Sequence, residues 1–131
     1  MASTSRSLIL RASILGTLVI GLGAFGAHGL KDVIAKVAEG KAYWETAAHY
    51  ALPHAAALVA LAAFAKNGQQ TGLLRITGHC WFIGSLIFSG TLMAMALGAP
   101  KWLGAITPIG GTALIAGWFI LGVSSFKRPS A

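Results

Sequence analysis

The sequence predicts an all-α polytopic membrane protein: an antiparallel bundle of four transmembrane helices with a short interfacial helix between the first two. Three observations lead there. From Ala12 to Leu30 the chain carries no charged side chain, His28 being taken as neutral, and about 20 apolar residues at ~1.5 Å rise suffice to cross a hydrocarbon core. Three further apolar runs of similar length follow. Hydrophobic residues make up 56% of the chain and charged residues only 10%, the reverse of a solvated surface. The 131 residues leave room for one domain, so no separate catalytic domain is expected, and the single Cys80 excludes an internal disulfide.

Span one is placed at 8–30 and closes on the glycine-studded Gly23-Ala24-Phe25-Gly26-Ala27-His28-Gly29-Leu30. Residues 31–40 set Val33, Ile34, Val37 and Ala38 against Lys31, Asp32, Lys36 and Glu39, the pattern of a short helix lying in the interface. Spans two, three and four are expected at 47–65, 76–97 and 103–123. The polar turn Lys66–Gly72 and the helix-stopping Gly98-Ala99-Pro100-Lys101 separate them, so each pair forms a tight hairpin.

An even number of spans puts both termini and the Lys66 turn on one side. That side holds Arg6, Arg11, Lys66, Arg75, Lys127 and Arg128, six basic residues against Lys31, Lys36, Lys41 and Lys101 on the other. All the arginines fall together, which by the positive-inside rule places both termini in the cytoplasm. Tyr43, Trp44 and Trp102 are then expected at the outer interface and Trp81 near the inner one. A cleaved signal peptide is the rival reading of the N-terminus; Arg11 and the length of the apolar run count against it. A bacterial inner membrane is the expected location, with the mitochondrial inner membrane as the alternative.

Lipid tails give helices no hydrophobic reason to associate, so contact must come from close backbone approach and interhelical hydrogen bonds. Gly16, Gly23, Gly26, Gly90, Gly110, Gly111 and Gly117 are the candidate packing glycines, helped by small pairs such as Ala51/Ala55, Ala56/Ala60 and Ser85/Ser89. Ser89, Thr91 and Thr107 are candidates for polar contacts between helices. Pro53 and Pro108 lie inside spans two and four, where each removes a backbone donor; Thr107–Gly111 reads either as a plain kink or as a discontinuous helix at a binding site.

For chemistry the chain offers little. Gly21-x-Gly23-x-x-Gly26 matches a dinucleotide fingerprint in letters only, since it lies inside a spanning segment with no strand before it. His28 and His54 are expected at similar depth on neighbouring helices, with Tyr50 one turn from His54 on the same face. A structural hydrogen bond linking helices is their plain role, and a two-histidine haem site or a proton relay is the functional alternative. No metal site is expected, for lack of ligands. The carboxylates Asp32, Glu39 and Glu45 all sit in the first outer loop beside lysines, so no catalytic residues are assigned. The basic residues divide between two membrane faces, which favours anionic lipid over nucleic acid.

Those residues resemble the domain of unknown function 423 family, small membrane proteins typified by bacterial YgdD-like proteins with mitochondrial relatives. The resemblance covers nearly the whole chain. Its most specific signature is Gly23–Leu30, followed by Thr46-Ala47-Ala48, Tyr50, His54-Ala55, Phe88–Leu92, Ile106–Gly111 and Gly117-Trp118. His28 and His54 fall on family motifs, whereas His49 and His79 do not, and Pro53 departs from the pattern. The resemblance implies a four-span membrane protein and supplies no reaction. The expected function is therefore that of a non-enzymatic accessory or scaffold subunit in the lipid bilayer, without cofactor, bound to a membrane-protein partner or to itself as a homo-oligomer. Haem or proton-relay chemistry at His28 and His54 is the alternative, and small-molecule or lipid transport comes last.

Overall fold

The computed structural model describes residues 2–67 and 71–126. Gly68, Gln69 and Gln70 of the polar turn, and Lys127 and Arg128 of the charge count, lie outside the described residues. The chain forms α1 (Ala2–Ala27), α2 (Lys31–Ala35), α3 (Gly40–Lys66), α4 (Thr71–Ala96) and α5 (Thr107–Phe126), with a 3-10 turn at Lys101–Ala105 leading into α5. Four helical segments of 25 to 27 residues are long and apolar enough to cross a membrane. Each measures ~37–40 Å, more than the ~30 Å hydrocarbon core requires.

Helices α1 and α4 begin earlier than the expected spans, at Ala2 and Thr71, and the first connection differs most. The interfacial helix closes after the five residues of α2, and α3 begins at Gly40 rather than near Ala47. Glu39 supplies the turn in a left-handed conformation (φ 62°). Gly40 then sits so tightly that a Cβ would strike the Ile34 carbonyl and lie 3.2 Å from that of Ala96. The charges that made 41–45 look like loop lie on the exposed side of the first turns of α3, where Lys41 and Glu45 stand 3.7 Å apart as an i,i+4 pair. Trp44 between them turns inward.

Pro108 lies inside the fourth apolar segment, Lys101–Phe126, as expected, but in the first turn of α5 and not in the middle of a helix. Its missing N–H is one that a helix start leaves unpaired in any case. The Thr107 hydroxyl donates to the Leu103 carbonyl at 3.2 Å, so the break ahead of α5 is closed by the chain itself.

Helices α1, α3 and α4 touch one another, while α5 packs chiefly along α4 and reaches α3 through the Trp118 side chain. One apolar core, with Leu8, Leu15, Leu58, Leu61, Trp81 and Leu114, runs from the end bearing Arg6 and Lys66; a second, with Ile34, Trp44, Ala47, Leu92 and Ala96, fills the opposite end. Trp81 and Trp44 thus depart from the positions expected of them: they are 1% and 6% exposed, core residues and not interface rings. Trp102, 64% exposed, is the tryptophan that matches an interfacial position.

The candidate packing glycines divide by environment. A Cβ at Gly110 would collide with the Phe88 amide nitrogen and lie 2.8 Å from the Gly84 carbonyl, one at Gly117 would lie 2.5 Å from the Trp81 ring, and one at Gly26 would collide with the Trp44 indole. Gly16 and Gly111 make ordinary contacts, at 3.9 Å to Ala55 and 3.5 Å to Phe88. Gly23 and Gly90 have nothing within 4 Å. Gly23 borders a cavity of about 470 Å³ between α1, α2 and α3, and Gly90 is exposed because its neighbour Ser89 faces the seam. Ala56 and Ala60 also point outward. Gly84 and Gly78, which no pattern in the sequence singles out, sit in tight contact with α5 and with Leu8.

Candidate functional site

The polar centre of the molecule is built around His54, in the middle of α3 and 7% exposed. Pro53 beside it has no N–H and leaves the His49 carbonyl without its helical donor. One residue on, the Tyr50 carbonyl accepts from His54 Nδ1 at 2.6 Å. The other ring nitrogen, Nε2, accepts from Trp118 Nε1 of α5 at 3.0 Å. A carbonyl only accepts and an indole N–H only donates, so the partners assign the neutral Nδ1–H tautomer with both nitrogens in use. Trp81 and Trp118 meet the imidazole edge-on, with centroids 5.9 and 6.0 Å away, and lie 4.5 Å from each other. Gly117 makes room for Trp81 in this cluster.

The other candidate polar residues form two further links between helices. Ser89 donates to the Ala47 carbonyl at 2.8 Å, joining α4 to α3. Thr91 and Thr107 share a hydrogen bond of 2.8 Å, joining α4 to α5. Tyr50 contributes its carbonyl, while its ring leans on Phe88 at 4.9 Å and is 46% exposed.

His28 and His54 are not brought together. Gly26 abuts Trp44 and Gly16 faces Ala55, so the exposed His28 lies about 15 Å farther along the bundle axis than His54. The early start of α3 is the cause: its added turns move His54 from the outer half to the middle. No imidazole pair exists to clamp a haem, and the lone pair of His54 that would bind a metal already holds Trp118. Among the described residues no three His, Cys, Asp or Glu side chains come together.

Trp81 and Trp118 are the residues that sequence reasoning missed. Their signal was Gly117, the small residue against which the Trp81 ring packs. A further set is buried without a partner: Thr77 Oγ1, Trp81 Nε1 and Ser85 Oγ, four residues apart on one face of α4.

The family model for DUF423, described as a protein of unknown function, matches residues 22–111. The chain belongs to the DUF423 family. Its relatives carry the name UPF0382 membrane protein: one from Staphylococcus haemolyticus is 39% identical, the match covering 87% of this chain and 93% of the relative. YwdK of Bacillus subtilis is 36% identical over 91% and 95% of the two chains. A homologue from Schizosaccharomyces pombe is 37% identical over 82% and 91%. No solved structure matches. The DUF423 match spans Gly26, His54, Trp81, Ser89, Thr91 and Thr107 but ends before Trp118.

Within the DUF423 signature, Gly26 and Gly23 should behave oppositely. Gly26→Ala forces the Trp44 indole out of its pocket and is expected to destabilise the bundle by about 1–3 kcal/mol, with Trp44 emission shifted to longer wavelength. Gly23→Ala, with open space around it, should change neither emission nor stability measurably. Equal effects from the two would contradict the packing described.

Proposed function

We propose that this DUF423 protein is a non-enzymatic accessory subunit that holds a partner membrane protein against the outer face of α3. One observation carries the reading. Ala42, Thr46, His49, Pro53, Ala56, Ala60 and Ala63 recur at alternating steps of three and four, so they share one face of α3, and all are exposed. Small side chains let a second helix approach closely in lipid, and Thr46 and His49 offer it hydrogen bonds. A shorter strip of the same kind, Ser13, Thr17, Gly21 and Ala24, is exposed on α1. Polar links between the helices, Ser5 to the Ala62 carbonyl among them, and the tight glycines hold the interior together, and the outward surface is left for docking. Small-molecule or lipid transport gains no support from an interior whose core is filled by Leu58, Leu61 and Trp81.

We place the protein in a bacterial inner membrane with both termini in the cytoplasm, on the clustering of Arg6, Arg11 and Arg75 at one end. The fungal relative keeps the mitochondrial inner membrane as the alternative.

The test is extraction of the native protein in mild detergent, followed by mass measurement of the intact complex. A partner in fixed stoichiometry is expected with the wild type, or a second copy if the partner is the chain itself. Ala56→Leu together with Ala60→Leu should release it at least tenfold, while leaving the thermal unfolding of the isolated subunit unchanged. A wild-type protein that is monomeric and alone would overturn the proposal.

A further inference from the structure

Arg11 poses a separate problem. A centred helix of ~39 Å overhangs a ~30 Å hydrocarbon core by ~4–5 Å at each end, which puts the Arg11 backbone about 9 Å inside it. A guanidinium at that depth needs an acceptor and reaches for the interface. Its Nη2 donates to His79 Nε2 on α4 at 2.9 Å. His79 spends its other nitrogen, Nδ1, as donor to the Arg75 carbonyl at 2.8 Å, which fixes Nε2 as the acceptor and aims the guanidinium across the α1–α4 seam. Arg11 Nη1 is enclosed and has no acceptor among the described residues. For that edge to meet a ligand, the last bonds of this long side chain must rotate outward.

Among the described residues no carboxylate lies nearby. Asp32, Glu39 and Glu45, the side-chain carboxylates of the chain, all lie at the opposite end of the bundle. Cations accumulate instead: Arg75 is exposed one turn before His79 on the same face of α4. On α1, Thr4 and Ser7 precede Arg11 along the same strip and are half-buried. Two guanidiniums and two hydroxyls thus edge one outward-facing seam that runs from the depth of Arg11 up to the rim of the hydrocarbon, where Arg75 stands and lipid headgroups begin.

We propose that this end of the α1–α4 seam binds the phosphate of an anionic phospholipid through Arg11 and Arg75, with His79 as a positioning residue. The phosphate supplies the paired oxygens that a guanidinium fork accepts, and basic pockets between spanning helices are a known setting for lipid headgroups. A carboxylate from a partner helix would have to lie within the hydrocarbon, whereas lipid presents its anion at the rim. The acyl chains lie along the exposed Ile14 and Leu18 of α1.

The experiment is native mass spectrometry of the full chain, released from micelles that contain phosphatidylglycerol or phosphatidylcholine with the same chains. Phosphatidylglycerol should be retained about tenfold more than phosphatidylcholine. Arg11→Gln and Arg75→Gln should each abolish the preference. Arg6→Gln makes the same charge change ~140° round α1 and should keep the preference within twofold. Loss of the preference in Arg6→Gln would reduce the effect to diffuse surface charge and overturn the site. Displacement of the lipid by millimolar inorganic phosphate would assign the site to free phosphate and overturn the lipid. A protein partner lost from Arg11→Gln while lipid retention stays unchanged would assign the charge to a carboxylate instead. Arg75→Gln leaves the Arg11–His79 bond intact and so decides the matter should Arg11→Gln fail to fold.

Discussion

Gly110→Ala is expected to destabilise the bundle by about 3 kcal/mol, the upper part of the range for overpacking. The new Cβ would meet the Phe88 amide nitrogen, the Phe88 Cα at 2.9 Å and the Gly84 carbonyl at 2.8 Å. These are backbone atoms of α4, so no rotamer change relieves the clash, and the two helices must separate along their shared seam. That separation also stretches the Thr91–Thr107 hydrogen bond. Gly90→Ala is the control, since nothing stands within 4 Å of its Cβ. Alanine is the better helix former by roughly 0.5–1 kcal/mol, so this variant should match or exceed the wild type. Unfolding in mixed micelles of increasing denaturing-detergent content measures both. A Gly110→Ala protein as stable as Gly90→Ala would mean that α4 and α5 do not approach as described.

The second large effect lies at His54. His54→Leu leaves Trp118 Nε1 at mid-membrane without an acceptor, and Trp118→Phe leaves His54 Nε2 without a donor. Each should cost about 1–3 kcal/mol, mostly as the penalty for the orphaned group. The double variant orphans neither, so its loss should fall below the sum of the two. The coupling should be of the order of 0.6–1.7 kcal/mol, as for other hydrogen bonds between spanning helices. The same unfolding assay reads all three variants, and Trp118 emission reports on the contact in the His54→Leu protein. Strict additivity would show that the two side chains act independently.

The bundle was legible because hydropathy over whole spans is a bulk property. Length, absence of charge and turn residues located four spans without knowledge of any contact. Helix ends were less legible: Lys41 and Glu45 resemble loop in a linear reading, although at a membrane rim they can ride the outer side of a helix whose inner side holds Trp44. Pro108 misled for the opposite reason, since a proline in the first turn of a helix and one in its middle read alike until the start is known. Of the polar candidates, Ser89, Thr91 and Thr107 were readable because a hydroxyl in lipid gains from an acceptor on its own helix or the next, although Thr77 and Ser85 on the same helix find none among the described residues. The partner of His54 was not readable. Trp118 is 64 residues away, and only the stacking of α4 between α3 and α5 determines that its indole reaches over Trp81. Gly90 and Gly110 carry the same letter, and only the rotation of each helix separates a surface glycine from one at a backbone crossing.

The attachment of α5 chiefly along α4, with one bond reaching α3, bears on how the molecule is made. By the time the ribosome has delivered Gly98, the three mutually touching helices α1, α3 and α4 are complete, and what still awaits α5 is the donor for His54 and the cover over the Gly84 face of α4. The last helix arrives as a late addition to one side of a finished core, secured by the hydroxyl pair near its start and by an indole clasped at mid-depth. A truncated chain ending after the α4 turn should therefore still insert and assemble as a three-helix unit, and α5 supplied as a separate peptide should be able to rejoin it.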